Sequence, residues 1–300
     1  MKISGFTFIR NGISLKYPFV ESIQSILPIC DEIVVAVGKS EDKTREYVRG
    51  IHPEKIKIID TVWDDNLRIG GGILAQQTDL AFEAITGDWG FYLQGDEVVH
   101  EKDLETIVDS AEKNLKNEKV DGLLFNYFHF YGNYNYIAKS RTRGTYPFEV
   151  RLIKNNKMIR SFKDAQGFRK YDPGSQSNNM KPERLKVKKA KAHIFHYGKV
   201  RGPKDELERA RIFHRLWHDD QWIDKTLGKT EEFNYSPDYP LELFTGTHPE
   251  VMRRRIAERN WDFRYDPLKV TMPIGRRIMN MVEHSTGLRP FSFRNYTLLR

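Results

Sequence analysis

Residues 94–97 read Gln94-Gly95-Asp96-Glu97 and follow the apolar run Trp89-Gly90-Phe91-Tyr92-Leu93. A buried strand that ends in two carboxylates puts negative charge at the mouth of a sheet, where open α/β folds hold ligands. Adjacent Asp96 and Glu97 suit a hard divalent cation, and such a cation suits a phosphate-bearing substrate. A competing reading makes them caps of the next helix, but Glu101 and Asp103 lie closer to its start. His196 is a candidate third ligand, a neutral imidazole brought from a distant strand. The alternative is a hydrogen-bonded core histidine. His193 competes with it, and faces away from His196 only if the strand is unbroken.

The elements around these residues alternate. Ile3–Ile9 reads as a strand ended by Arg10-Asn11-Gly12, and residues 17–27 have helical spacing. Ile33–Val37 is an unbroken apolar run, as in a strand buried on both faces. Ser40 is placed to cap a helix continuing through Lys43-Thr44-Arg45. Residues 56–59 form a third strand. Residues 73–85 form a helix with Leu74, Gln77, Leu80, Ala81 and Ala84 inward. Phe91–Leu93 is the fourth strand, residues 102–115 a helix, and 120–130 strand-like. Strands separated by such helices predict right-handed crossovers and a mostly parallel sheet. Beyond 130, residues 131–146 and 163–181 read as loops, with an Asp172-Pro173-Gly174-Ser175 turn. Residues 148–153 and 185–197 read as strands, and 204–217, 249–260 and 274–284 as helices.

Composition bounds the function. The chain has 300 residues, 12% of them aromatic, which excludes a disordered chain and allows a sizeable core. No apolar run approaches the ~18–20 residues that span a bilayer, and the N-terminus lacks a signal peptide's apolar stretch. Cys30 is the only cysteine, so an internal disulfide and a cysteine-built zinc site are excluded. A cytoplasmic location is the default expectation. No Gly-x-Gly-x-x-Gly follows the first strand, and Gly70-Gly71-Gly72 lacks the Lys-Ser/Thr of a phosphate loop, which argues against dinucleotide and P-loop nucleotide enzymes. Of the net charge of +8, +6 lies between Pro249 and Arg300. That basic segment suits an anionic lipid surface, nucleic acid or an acidic substrate, or is simply a solvated face.

Over roughly residues 3–200 the chain resembles family 2 glycosyltransferases of the GT-A fold. Four segments carry the resemblance: Phe8-Ile9-Arg10-Asn11; Ile26 to Val35 with Ser40-Glu41-Asp42-Lys43-Thr44; Thr86-Gly87-Asp88-Trp89 leading into Gln94-Gly95-Asp96-Glu97; and Arg151-Leu152-Ile153 with His196-Tyr197-Gly198. The resemblance implies a mixed, mostly parallel α/β sheet flanked by helices, with a helical basic C-terminal extension. It divides the chain into a nucleotide-sugar half (1–125), an acceptor half of the same domain (126–215) and the extension (216–300). It also implies an inverting transfer from a nucleotide-sugar to a glycan or lipid-linked acceptor. Asp96, Glu97 and His196 would then hold Mg2+ or Mn2+, and Arg10, Asn11, Asp64, Gln77, Gln94 and Gly95 would contact the donor. Gln94 replaces the family's first aspartate, and Val37 and Gly38 replace its acidic pair. Where relatives carry a His-Glu pair this chain has Ala165-Gln166, so the base is expected at Asp164 or, second, Glu149. The acceptor class points to polysaccharide biosynthesis, with the basic C-terminus near the inner face of a membrane and no nucleic-acid partner. In residues 274–282, packing of Ile278, Met281 and Val282 on the domain is the favoured reading over membrane contact. Two rivals stand: a nucleotidyltransferase, poorly matched by Arg10-Asn11-Gly12-Ile13, and a non-catalytic nucleic-acid-binding protein.

Overall fold

A computed structural model describes residues 1–64, 69–139, 145–171, 182–228, 230–235, 237, 239–270, 272–286 and 294–299, with Ile69 by its backbone only. The first half alternates strand and helix: β1 (Ile3–Ile9), α1 (Phe19–Ile26), β2 (Glu32–Gly38), α2 (Thr44–Ile51), β3 (Ile56–Thr61), α3 (Gly72–Glu83) and β4 (Trp89–Tyr92). Then come β5 (Glu97–Val99), α4 (Leu104–Leu115), β6 (Gly122–Tyr131), β7 (Tyr136–Ala138), β8 (Phe148–Lys154), β9 (Ile159–Phe162), β10 (Gly167–Lys170) and β11 (Glu183–Lys199). The C-terminal part holds α5 (Pro203–His214), α6 (Asp220–Leu227), β12 (Leu241–Leu243), α7 (Arg253–Ala257), α8 (Ile274–Thr286) and β13 (Tyr296–Leu298).

The main sheet runs β3-β2-β1-β4-β8-β6-β11-β10-β9. Its first four strands are parallel. Strand β8 then enters antiparallel between β4 and β6, so the parallel character belongs to the N-terminal part of a mixed sheet. Strand β6 crosses residue 125 without a break, joining the two expected halves in one sheet. The apolar runs are unbroken because both faces are covered. On one face α1 and α4 bury Phe19, Ile23, Ile26, Ile107 and Ala111 against Val35, Val37, Phe91 and Leu93. On the other, α3 buries Ile73, Leu74, Ala81 and Phe82 against Phe6, Val34, Ala36 and Tyr92. A third cluster packs Phe130, Phe195 and Tyr197 with Met252 of the C-terminal segment.

Several expectations change in detail. Ser40 does not cap α2; its hydroxyl donates to the Gly38 carbonyl and accepts from the Asn11 N–H. Asp42 instead takes the Thr44 N–H with one oxygen and the Ile13 and Ser14 N–H groups with the other, pinning the β1–α1 turn. The inward stripe of α3 includes Ile73, Thr78 and Phe82, while Leu80 and Ala84 are exposed. The expected loop at 163–181 contains β10, which pairs with β9, and the turn expected at 172–175 lies outside the described residues. The loop at 131–146 contains β7, the helix expected at 249–260 shortens to α7 after one 3-10 turn, and α6 was not foreseen. The packing expected of α8 is overturned. Ile278 and Met281 are 55% and 71% exposed and Val282 is exposed beside them, while the buried residue of that helix is Glu283.

Candidate active site

Asp96 and Glu97 are neighbours in sequence but not in environment. A tight turn, closed by the Glu97 N–H donating to the Gln94 carbonyl at 3.0 Å, follows β4. Glu97 then begins β5, which lies antiparallel on β11 with Glu97 opposite His196. Strand alternation sends the Glu97 side chain into the sheet, where it is fully buried. Arg151 of β8 grips it bidentately, Nε to Oε2 and Nη2 to Oε1, both at 2.7 Å. Tyr127 donates its hydroxyl to Oε1 at 2.8 Å, and the Gln94 N–H donates to Oε2. Burial alone pushes this carboxyl's pKa up, but the Arg151 charge and these donors outweigh it and hold the group below its ordinary value. Glu97 is therefore an ionised strut that locks the turn. Its oxygens are already engaged, unlike those of a metal ligand open to a substrate.

Asp96 carries the accessible carboxylate. Its carbonyl accepts from the Tyr197 N–H at 2.8 Å, which ties the turn to β11. Its Oδ2 lies 3.8 Å from His196 Nε2, too far for a hydrogen bond and suited to a shared cation. What keeps that gap open is Gly198. A methyl group there would come within 2.6 Å of His196 Nε2 and 3.0 Å of Asp96 Oδ2. The missing side chain leaves a cradle bounded by one oxygen and one nitrogen. Its floor is fixed by Arg201, buried, whose Nη1 donates to the Gly198 carbonyl at 2.7 Å and whose Nε donates to the Leu15 carbonyl. Among the described residues no three His, Cys, Asp or Glu side chains cluster to hold a metal. Two protein groups still fit Mg2+ or Mn2+, which commonly takes one or two protein ligands and completes its shell with phosphate and water.

The sequence-predicted donor residues divide. Gly95 lies over the end of β1, where a Cβ would approach Ile9 Cδ1 to 3.2 Å, so the acidic turn packs on the residue that precedes Arg10 and Asn11 in the chain. Gln94 flanks Asp96, and its carbonyl accepts from Ser22. Arg10 stacks over the Trp63 ring, 5.4 Å from its centroid, and Trp63 closes on Gly38 at the end of β2. Asp64 is exposed just beyond Trp63. Asn11 adopts a left-handed φ of 52° and its Oδ1 accepts from the Glu41 N–H, a turn-building role. Gln77 is buried in α3 with its Oε1 accepting from Thr61 at 2.5 Å.

The two carboxylates expected as bases differ. Glu149 of β8 is enclosed, and one oxygen accepts its own chain's Val150 N–H. Burial raises its pKa to about 7 against the pull of Arg151. Asp164 occupies the β9–β10 turn between Lys163 (φ 57°) and Ala165 (φ 60°), both left-handed without being glycine. Its buried Oδ1 has no hydrogen-bond partner, and burial raises its pKa as well. The turn lies against Gly71, where a Cβ would meet Asp164 Cβ at 2.7 Å, at the mouth of α3. Sequence reasoning passed over His129, Gly198 and the pairing role of Arg151. For Arg151 the signal was present: an arginine on a mostly apolar strand, Phe148–Lys154, needs a buried anion. Gly198 lay in the quoted segment His196-Tyr197-Gly198 without its spacing role being visible, and His129 carried no signal, since its partners His196 and Tyr146 are distant in sequence.

No curated protein matches the chain in sequence. Among solved structures it is similar to TarS of S. aureus, at 14% identity and a TM-score of 0.39, over 71% of this chain and 39% of that one. The 1–349 portion of TarS gives 15% identity and 0.38, over 76% and 69%. The mannosyltransferase PcManGT of Pyrobaculum calidifontis gives 18% and 0.31, over 42% and 34%. The chain thus spans about two fifths of the longer TarS chain. The family model described as glycosyl transferase family 2 matches residues 18–173, more than half of the chain and the stretch that holds β4, the acidic turn, Arg151 and Asp164. The chain belongs to glycosyl transferase family 2.

Proposed function

We propose that this protein is an inverting glycosyltransferase that moves a sugar from a nucleotide-sugar to a hydroxyl of a glycan or lipid-linked acceptor, with help from Mg2+ or Mn2+. The observation that carries this reading is the cradle of Asp96 Oδ2 and His196 Nε2, held open by Gly198 beyond the end of β4. Asp96 and His196 would hold the cation, and Glu97 and Arg151 would fix the turn that presents Asp96. When bound, the cation would stabilise charge on the departing diphosphate. Gln94 and Gly95 border the donor, and Arg10 with Trp63 offers a cationic, aromatic edge to its base or ribose. Asp64 lies next to that edge, whereas Asn11 and Gln77 act through the turns and helix they brace. Asp164, with its unpartnered oxygen, would accept the proton of the acceptor hydroxyl as that oxygen attacks the anomeric carbon from the face opposite the leaving diphosphate. The test is a thermal-shift screen of UDP- and GDP-sugars with and without Mn2+. A true donor at 100 times its Kd stabilises by about 2.7 kcal/mol, a shift of several degrees. No Mn2+-dependent shift with any donor would sink the reading. A shift with nucleoside triphosphate and sugar phosphate alone would favour the nucleotidyltransferase, and one with nucleic acid alone the binding protein.

We further infer that α8 docks on an anionic membrane surface. Ile274, Ile278 and Met281 form an outward stripe 75%, 55% and 71% exposed, preceded by Leu268 at 93%. Arg277 borders the stripe, Lys269 follows Leu268, and the segment from Pro249 carries a net +6. Apolar burial plus attraction to anionic headgroups is how such helices bind. Among the described residues no helix is long and apolar enough to cross a membrane, so contact would be peripheral. Flotation should show binding to vesicles of phosphatidylglycerol with phosphatidylcholine, weakened by salt and abolished by Ile278→Glu with Met281→Glu. Equal flotation of that double variant, or a wild-type dimer that the same changes dissociate, would defeat this inference.

A further inference from the structure

Behind His196 stands a second imidazole that the resemblance does not mention. Strands β6 and β11 run parallel with His129 opposite His196, and their Nδ1 atoms are 2.9 Å apart. Two ring nitrogens at that distance share one proton, so one donates and the other accepts. The remaining nitrogen of His129 decides which. His129 Nε2 lies 2.7 Å from the Tyr146 carbonyl. A carbonyl only accepts, so Nε2 carries a hydrogen. The ring is enclosed, stacked on Tyr127 at 5.2 Å and edge-on to Tyr146 at 4.5 Å, and its nitrogens meet a ring nitrogen and a carbonyl rather than a carboxylate. An enclosed ring without a counter-anion stays neutral and has one N–H. His129 Nδ1 is therefore bare and accepts. The shared proton belongs to His196 Nδ1, and the lone pair of His196 is left on Nε2, the atom that bounds the cradle with Asp96.

We propose that His129 is a positioning residue that holds His196 in its Nδ1–H tautomer and so presents Nε2 to a divalent cation. This rests on the cation reading of the site. It has a parallel in general metal-site chemistry, where the partner of a ligating imidazole's other nitrogen fixes its tautomer and affinity. Here that partner is a neutral ring, itself pinned by a backbone carbonyl, and it adds no charge to the site.

The experiment is imidazole 15N NMR on the metal-free full chain, followed by Mn2+ titration. The wild-type spectrum should show His129 protonated on Nε2 and His196 on Nδ1; a His196 protonated on Nε2 overturns the proposal. In His129→Phe, Mn2+ affinity should fall by roughly 10–100-fold. His129→Asn, whose Oδ1 can accept near the lost Nδ1, should recover most of it. Equal affinity in wild type and His129→Phe also overturns the proposal. If His129→Phe does not fold, the wild-type tautomer and the His129→Asn titration still decide. A wild-type chain that binds no Mn2+ even with donor present defeats the cation reading itself, and the metal-free spectrum keeps that failure separate.

Discussion

Asp96 and Glu97 share a carboxylate and a peptide bond, yet their substitutions should behave oppositely. Asp96→Asn replaces the carboxylate by a neutral amide in a side chain with little invested in the fold, so the metal-free protein should keep its stability to within about 0.5 kcal/mol. Its Mn2+-dependent donor binding should fall at least tenfold, measured by calorimetry. Glu97→Gln leaves the Arg151 guanidinium buried opposite a neutral amide. Breaking a buried pair of this kind costs about 3–5 kcal/mol, which denaturant melts would read directly. Gly198→Ala belongs with Asp96: its backbone φ is not left-handed, so alanine is tolerated by the chain, but the new methyl enters the cradle. The expected outcome is a folded protein with Mn2+ affinity reduced at least tenfold. At this scale the sequence showed Asp96 and His196 as chemistry-bearing groups. It did not show that Glu97 turns inward, because that orientation comes from the pairing of β5 with a strand about 100 residues away.

The elements that build the sheet were readable wherever burial is two-sided. Strands β1 and β2 announce themselves as apolar runs because helices cover both faces. Strands β9 and β10 do not. Their turn uses Lys163, Asp164, Ala165 and Gln166 rather than Asn or Gly, so the chain's left-handed excursions there have no sequence signature. That turn is strained on both sides of the proposed base, and strain of this kind gathers where a side chain must be aimed. Replacing exposed Lys163 by glycine should therefore raise stability by roughly 0.5–1 kcal/mol in chemical denaturation. The same change should lower kcat while leaving donor affinity intact, because Asp164 loses one of its two restraints. A variant that gains stability with unchanged kcat would remove Asp164 from the chemistry. Helix α8 was legible as a helix, but its direction of facing was not. The spacing of Ile274, Ile278 and Met281 is the same whether the stripe meets protein or lipid.

For the molecule as a whole, pH acts through carboxyls that the fold keeps protonated. Burial lifts Glu149 from an ordinary 4.5 to about 7, and lifts Asp79 from 3.8 to about 7 despite a Ser161 N–H on its carboxylate. Between those limits the native chain holds protons that the unfolded chain has released. Stability must then fall as pH climbs from about 4.5 to 7, by on the order of 2–3 kcal/mol for Glu149 alone. Glu149→Gln should remove that part of the slope, as read by denaturant melts at pH 5 and pH 8. A slope unchanged by Glu149→Gln would place the titrating group elsewhere. The short pairing of β5 on β11 has a last consequence, which concerns time. Asp96 leaves the ribosome a hundred residues before His196, so the contact that joins them closes a long loop. Closing such a loop is slow and comes after local structure has formed. A nascent chain ending before β11 would own the β1–β4 part of the sheet and half a cradle. Paramagnetic Mn2+ capture would therefore date the arrival of β11, during refolding or synthesis, more sharply than any signal from the helices.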